Sequence, residues 1–518
     1  MDVRRSVNFL TPGLLTAAAV LAADRLMAAV LSLTGCDHAL PPTVVAAFSI
    51  TAALVVIAAR WPRICRFSEV SNDDRLDVLR EHEKLLKAKR RKWVTPADFR
   101  RAVEEDGRLW TVINGSVYDV AGLIGNDNNG KPKHPGGDFL ADFVGKDASL
   151  WFYTSHLKSE NVLTRLSVSW VGYLTDRFGL MCSHDKAMHK LIDDFAAEGL
   201  FAYPWRHWLW DMQGPVLFLI SFWVAHCCIQ GRIAPDWSGR LVYVGSFIGG
   251  SLSYVLMLYF VHDALHQSIF TTKERAKSFT RWFSLVVGGI DWSVGAIVHD
   301  AHHAFTHVVG RDKSLDTAPL VYWHKSQVPG DSAGALSSAE AFAATWGAFL
   351  WFTVVVWLMF PMEVLRSVAD AFKRKDVVCL VAVPVRLLLP FACHLSFNVS
   401  LHYAVWLLLA QEVGMVLVGI AASLNHFSFD AIDVHQFREK MDQGFVEQQA
   451  KTTQNHNAVA LGYGLHGANG KQPRSLVVWA LVASLDAVVS CWVGHFDYHV
   501  EHHLVPYMPR RNLPKVMA

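Results

Sequence analysis

Three short motifs place histidines at the spacing of one helix face: His262 and His266 in HDALH, His299, His302 and His303 in HDAHH, and His499, His502 and His503 in HVEHH. Helical positions i, i+3 and i+4 lie on the same side, so each motif would present its imidazoles in one direction. With 25 histidines in 518 residues, about 0.06 HxxHH motifs are expected by chance, yet the chain has two. The pattern predicts metal binding.

Together with His426, the three motifs supply nine imidazoles. Nine are too many for one tetrahedral zinc ion, and no CxxC pair or carboxylate-rich alternative accompanies them. Carboxylate-bridged di-iron bundles use Glu and Glu-x-x-His motifs, and nothing of that form is prominent here. The histidines suffice for two iron ions with open coordination positions.

A separate histidine pair lies in residues 93–174, whose composition is that of a small soluble domain. His134 begins HPGG, a poor helix former that presents an imidazole rigidly, and His156 follows 22 residues later in the helical stretch SLWFYTSH. WTVINGSVYDV (110–120) predicts two strands joined by a turn at Asn114-Gly115. Two axial imidazoles on a flat haem would carry single electrons and leave no position for dioxygen.

The composition predicts a polytopic membrane protein, because 52% of the residues are hydrophobic and 19 are Trp. A net charge of +2 provides no field for nucleic acid, so none is expected as a partner. Eight Cys without regular spacing indicate neither a disulfide framework nor a zinc module.

Apolar stretches divide the chain into four parts: an N-terminal hydrophobic hairpin (1–66, with apolar segments at 9–35 and 41–60), a charged linker helix (67–92), the haem-binding domain (93–174) and the membrane domain (175–518).

Four spans are expected at 214–231, 241–261, 377–397 and 403–424. Residues 279–298 are interpreted as a re-entrant segment, since His299 must stay near His262. Residues 342–360 and 475–493 are interpreted as interfacial helices, because a third span after the second motif would put the last motif on the wrong face. Arg60, Arg63 and Arg66 place the haem domain and the motifs on the cytosolic side.

Residues 93–174 resemble cytochrome b5 through WTVINGSVYDV, HPGG, VGKDAS (144–149) and VGYL (171–174). On that resemblance, His134 and His156 bind haem b. The carboxyl-terminal part resembles the membrane fatty acyl desaturases, specifically the cytochrome b5-fused front-end group. The motifs that carry this resemblance are HDALH, HDAHH, SLNH (423–426), TTQN (452–455) and HVEHHLVPYMPRRNLPKV (499–516).

The resemblance implies a mainly α-helical polytopic membrane protein, with a four-span core, a cytosolic di-iron cap and a small α+β haem domain. It implies an oxidoreductase that uses dioxygen and two electrons to introduce a cis double bond between an existing double bond and the carboxyl end of an acyl-CoA or phospholipid chain. The implied partners are NADH-cytochrome b5 reductase, as a separate chain, and the endoplasmic reticulum bilayer. The two iron ions would be held by His262, His266, His299, His302, His303, His426, His502 and His503, with His499 as the ninth ligand.

His499 departs from the front-end pattern, which usually begins the last motif with Gln; His is at least as good an iron ligand, but the position of the new double bond is then less certain. The chain also ends 15 residues after His503, where relatives normally continue, so the tail is either dispensable or missing from this sequence. His307 and His495 are interpreted as surface residues or neighbours of the ligands. Asp263, Asp300 and Glu501 could orient ligand imidazoles or serve as ordinary helix-surface residues.

Three alternatives stay open from the sequence. The substrate could be a sphingoid base, desaturated by the same chemistry. A di-iron lipid hydroxylase would use the same parts and leave oxygen in the product, although haem-fused acyl hydroxylases have different histidine spacings. A membrane haem protein that only relays electrons would leave the nine histidines unexplained.

Overall fold

The computed structural model describes residues 92–516 except 135, 157–159, 234–236, 271, 329–341, 343–344, 348, 398–400, 427–430 and 456–496. The expected N-terminal hairpin, most of the linker helix, the interfacial helix at 475–493 and His495 lie outside the described residues.

The domain expected to bind haem is built on a four-stranded sheet in the order β1-β4-β3-β2, with β1 Trp93–Val94, β2 Trp110–Ile113, β3 Ser116–Asp119 and β4 Trp170–Leu174. Strands β2 and β3 form the predicted hairpin, and Val112 pairs with Val117 across it. Asn114 and Gly115 have φ values of 51° and 72°, as a two-residue turn of this kind requires. Three helices accompany the sheet: α1 Pro96–Glu104, α2 Ser149–His156 and α3 Glu160–Val168.

Helices make up the rest of the described chain: α4 Ser183–Ala197, α5 Trp205–Asp211, α6 Gln213–Ile229, α7 Trp237–Leu265, α8 Lys273–Gly288, α9 Ala296–Ala304, α10 Val356–Arg374, α11 Val377–Phe397, α12 Leu401–Leu424, α13 Val434–Lys440, α14 Phe445–Thr452 and α15 His499–Leu504. The predicted fold class, a mainly helical membrane protein with a small mixed domain, is confirmed.

Four helical segments among the described residues are long and apolar enough to cross a membrane: Trp205–Ile229, Trp237–Leu265, Trp351–Arg374 and Leu401–Leu424. The third differs from the sequence-based interpretation of 342–360 as an interfacial helix. That interpretation rested on the parity of the spans and not on hydropathy, and the helix Trp351–Arg374 is long and apolar enough to be a span. The predicted span at 377–397 forms helix α11 with the same bounds, but it is not among these four segments.

The predicted re-entrant segment is a helix, a reversal and a second helix. Helix α8 ends at Gly288 and is capped by Gly289, whose φ of 69° is left-handed, a conformation that residues with a side chain rarely adopt. A short 3-10 turn, Trp292–Val294, then leads into α9, which carries the second histidine motif. The Nε2 atoms of His299 and His262 lie 2.8 Å apart, so the chain does return to the first motif.

Candidate metal centre and haem site

Eight of the motif histidines form two groups, and within each group the possible ligand atoms lie within 4.8 Å of one another. The first group comprises His262, His266, His299, His303 and His502. The second comprises His302, His426 and His503. The ninth predicted ligand, His499, adjoins the second group, because its Nε2 is 2.9 Å from Nε2 of His426.

The nitrogens within these groups converge as ligands of a shared cation would. Nε2 of His299 is 2.8 Å from Nε2 of His266 and 2.8 Å from Nε2 of His262. A neutral imidazole has one N–H and one acceptor nitrogen, so three nitrogens facing one point are best satisfied by a metal ion. The buried Nε2 atoms of His303 and His503 have no hydrogen-bond partner within the described part of the chain. This donor set fits iron.

Each HxxHH helix contributes to both groups. On α9, His299 and His303 belong to the first group and His302 to the second. On α15, His502 belongs to the first group, whereas His503 belongs to the second. The rings of His303 and His503 are 4.1 Å apart, so the two candidate metal positions lie side by side. The sequence spacing predicts one ligand face per motif and does not reveal this division.

Burial favours the neutral form of His299, His303 and His502, which is the form that binds a metal. Burial, followed by the charge of the neighbouring His302, lowers the pKa of His299 to about 3. Burial, followed by the charges of other motif histidines, also lowers the pKa of His303 and His502 well below the ordinary value. No proton therefore competes for these nitrogens at neutral pH.

Three hydrogen-bonding partners that the sequence did not reveal orient the imidazoles of the second histidine group. Oδ2 of Asp312 lies 2.9 Å from Nδ1 of His302, and Oε1 of Gln449 lies 3.0 Å from Nδ1 of His503. The carbonyl oxygen of Thr452 is 2.8 Å from Nδ1 of His426. Such contacts fix the ring and leave Nε2 for the metal. Burial alone would raise the pKa of Asp312, but the charge and hydrogen bond of His302 lower it to about 2.

The three carboxylates that the sequence suggested as orienting groups contact residues other than the motif histidines. Asp263 pairs with Arg510 at 3.5 Å, Asp300 with Lys273 at 3.5 Å, and Glu501 accepts a hydrogen bond from Asn455 at 2.8 Å. His307 is buried, with its ring 5.5 Å from that of His426. It is therefore a neighbour of the second group rather than a surface residue.

The haem-binding domain brings its predicted ligands together. The ring centres of His134 and His156 are 6.0 Å apart, close to the sum of two metal–nitrogen bonds of about 2 Å each and the two ring radii. Phe152 stacks on the ring of His156 at 4.9 Å. Burial lowers the pKa of His156 to about 3. The pair fits the axial ligands of a haem.

Comparisons with known proteins match both parts of the chain. Residues 236–518 match the fatty acid desaturase family, and residues 95–196 match the cytochrome b5-like heme/steroid binding domain. The Delta(8)-fatty-acid desaturase of Borago officinalis is 24% identical over 41% of this chain and 44% of its own length. The acyl-lipid (8-3)-desaturase of Rebecca salina is 22% identical over 80% of this chain and 84% of its own length. The Delta(8)-fatty-acid desaturase of Euglena gracilis is 21% identical over 74% of this chain and 83% of its own length.

No solved structure gives a significant match to the chain. The match with the borage protein spans less than half of that relative's length. The family match, by contrast, covers more than half of this chain and contains all three histidine motifs. The chain belongs to the fatty acid desaturase family, a family of oxidoreductases that act on fatty acyl lipids, and it carries a cytochrome b5-like domain.

Proposed function

We propose that this protein is a front-end fatty acyl desaturase that places a cis double bond between an existing double bond and the carboxyl end of an acyl-CoA or phospholipid chain. The observation that carries the proposal is that one chain contains two adjacent histidine groups and, separately, His134 and His156 with their rings 6.0 Å apart, as the two ligands of a haem would be. The two HxxHH helices, α9 and α15, would each contribute ligands to both iron ions.

The reaction consumes one dioxygen, two electrons and two protons, and it removes two vicinal hydrogens from the chain, so that two waters form with the double bond. Iron bound by the nine histidines would supply the dioxygen chemistry. His302, His426 and His503 are held by Asp312, Thr452 and Gln449, which keeps their Nε2 atoms directed at the metal.

Electrons would reach the iron one at a time from a haem b held by His134 and His156. NADH-cytochrome b5 reductase, a separate chain, is the proposed source of these electrons. The proposed location is the endoplasmic reticulum membrane, with the haem domain and the histidine motifs facing the cytosol, where the reductase can reach them.

The test is the fatty acid profile of yeast that expresses this chain and is fed a panel of unsaturated acids. We expect a new double bond on the carboxyl side of an existing one, located by gas chromatography with mass spectrometry. The negative control is His502→Ala, which removes a buried member of the first group. The matched control is His435→Ala, because the His435 side chain is 82% exposed and lies outside both groups.

The products separate the alternatives. A hydroxylated fatty acid would replace the proposal with a lipid hydroxylase, and a new double bond in the long-chain bases of the same cells would assign the activity to sphingoid bases. If haem-loaded protein with about two irons per chain gives none of these products, the proposal is wrong. Haem without additional iron would leave the electron-relay function.

A further inference from the structure

The haem-binding domain is joined to the membrane domain by a buried ionic contact. Arg311, eight residues after His303, pairs with the buried Asp142 at 2.9 Å and with Asp138, which is 71% exposed, at 2.5 Å. The side chain of Arg311 is 7% exposed and that of Asp142 is fully buried. Both acids lie in the 3-10 segment Gly137–Phe143, which begins three residues after His134. The contact therefore fixes the segment that follows the first haem ligand.

A second basic side chain holds the other haem-ligand segment. Nζ of Lys273, the first residue of α8, donates to the carbonyl oxygen of Ser155 at 3.2 Å. The same nitrogen pairs with Asp300 at 3.5 Å. Ser155 precedes the haem ligand His156, and Asp300 lies beside His299 in the second histidine motif. One lysine thus bridges the two kinds of site.

Aromatic packing accompanies the contact of Arg311 with the haem-binding domain. Phe305, which follows α9 and is 2% exposed, lies 4.8 Å from the ring of Phe139 and 5.8 Å from that of Phe143. The guanidinium of Arg311 stands 5.0 Å from the centre of the Phe139 ring. Both haem-ligand segments are therefore packed against the helix of the second motif and the residues that follow it.

We propose that Arg311 and Lys273 are positioning residues that hold the haem domain in one fixed place, with α9 as the element nearest the incoming electrons. The inference deepens the proposed function and rests on it. Each transfer oxidises a ferrous haem to ferric and reduces one ferric iron to ferrous. The reductase then reduces the haem again, and two rounds supply the two electrons.

Burial is the reason to expect a fixed domain rather than a swinging one. If the domain moved away, the buried rings of Phe143 and Phe305 would become exposed together with the Arg311–Asp142 pair, and exposing apolar surface to water is unfavourable. The outer contacts hold less, since Asp442, the partner of Lys146, is 86% exposed and Arg438, a second partner of Asp142, is 54% exposed. Exposed ion pairs contribute little.

The test uses the full chain in lipid nanodiscs, loaded with haem and iron. Arg311→Glu reverses the charge, Arg311→Lys keeps it, and Lys273→Met removes the bridge. Lys313→Glu is the matched control, because Lys313 lies two residues from Arg311 but pairs only locally with Asp316 and is 51% exposed. The readouts are the haem and iron content, hydrogen exchange of residues 137–143, and the rate at which the reduced haem is reoxidised after mixing with dioxygen and an acyl substrate.

We expect Arg311→Glu to bind haem and iron normally, to lose exchange protection in 137–143, and to reoxidise its haem about tenfold more slowly or worse. Arg311→Lys should recover much of the rate, and Lys313→Glu should behave as the wild type. Lys273→Met should slow reoxidation without loss of haem.

Unchanged exchange and reoxidation in Arg311→Glu would overturn the inference, as would an equal loss in Lys313→Glu. If Arg311→Glu fails to fold, the result for Lys273→Met decides. A wild-type rate of haem reoxidation in Lys273→Met would then overturn the inference. Failure of the proposed function is a separate result: the wild type would then form no desaturated product, while the exchange measurement would still report whether the domain is docked.

Discussion

Nε2 of His262 lies 2.8 Å from Nε2 of His299, although the two residues belong to different histidine motifs and are separated in sequence by helix α8 and the turn that follows it. His262 is in the last turn of the membrane helix α7, and His299 is in α9. Two imidazole nitrogens at this distance share a hydrogen or a metal ion. The surrounding histidines favour the metal, and this makes the contact sensitive to loss of any neighbouring ligand.

Replacement of His303 should disturb both metal positions. His303 belongs to the first group, and its ring also lies 4.1 Å from that of His503 in the second. We expect His303→Ala to bind fewer than two irons per chain and to lose product formation by about 100-fold or more, since even the groups that orient ligands contribute tenfold to 100-fold. Iron is measured by plasma mass spectrometry, with His435→Ala as the exposed control. Two tightly bound irons in His303→Ala would contradict the assignment.

Asp312 should act on iron affinity without binding iron. Its carboxylate contacts His302 Nδ1 and also accepts the backbone N–H of His307 at 3.0 Å. We expect Asp312→Asn to weaken iron binding by about 10- to 100-fold, measured by competition with a chelator. Asp316→Asn is the matched control, because Asp316 is 49% exposed and pairs with Lys313. Equal iron affinities in the two variants would show that Asp312 does not contribute to iron binding.

Much of this site could be predicted because the spacing of the histidines in each motif is typical of metal ligands on one helix face. The hairpin at Asn114-Gly115 followed from a local signal, the fold class from composition and apolar stretches, and the approach of His299 to His262 from the expectation of a shared metal site. The division of each HxxHH motif between two groups did not, because it depends on how α9 and α15 cross, and crossing is a tertiary property. Asp312, Gln449 and Arg311 were missed for the same reason, since a single polar residue carries no periodic signal and its partner is distant in sequence.

Haem binding should resist acid until well below pH 6.5. Burial lowers the pKa of His156 to about 3 from its ordinary 6.5, and burial also lowers that of His134. Because the folded pKa is below the unfolded value, the stability from a neutral His156 is complete above pH 6.5 and is lost as the pH falls from 6.5 toward 3. Soret absorbance of the holoprotein should therefore stay constant from pH 8 to 6.5 and fall only in more acidic solution. A release midpoint near 6.5 would show an exposed, ordinary histidine.

Two glycines on helix α7 should respond oppositely to alanine. A Cβ added at Gly250 would lie 2.6 Å from Cη2 of Trp406, which is 1% exposed on α12, whereas a Cβ at Gly245 would meet no atom within 4 Å. Gly250→Ala should lower the free energy of unfolding by about 1–3 kcal/mol through overpacking. Gly245→Ala should be neutral or stabilise by up to about 1 kcal/mol through helix propensity. Thermal unfolding of both variants in the same detergent measures the difference, and equal melting temperatures would mean that α7 and α12 do not pack as closely as the structure has them.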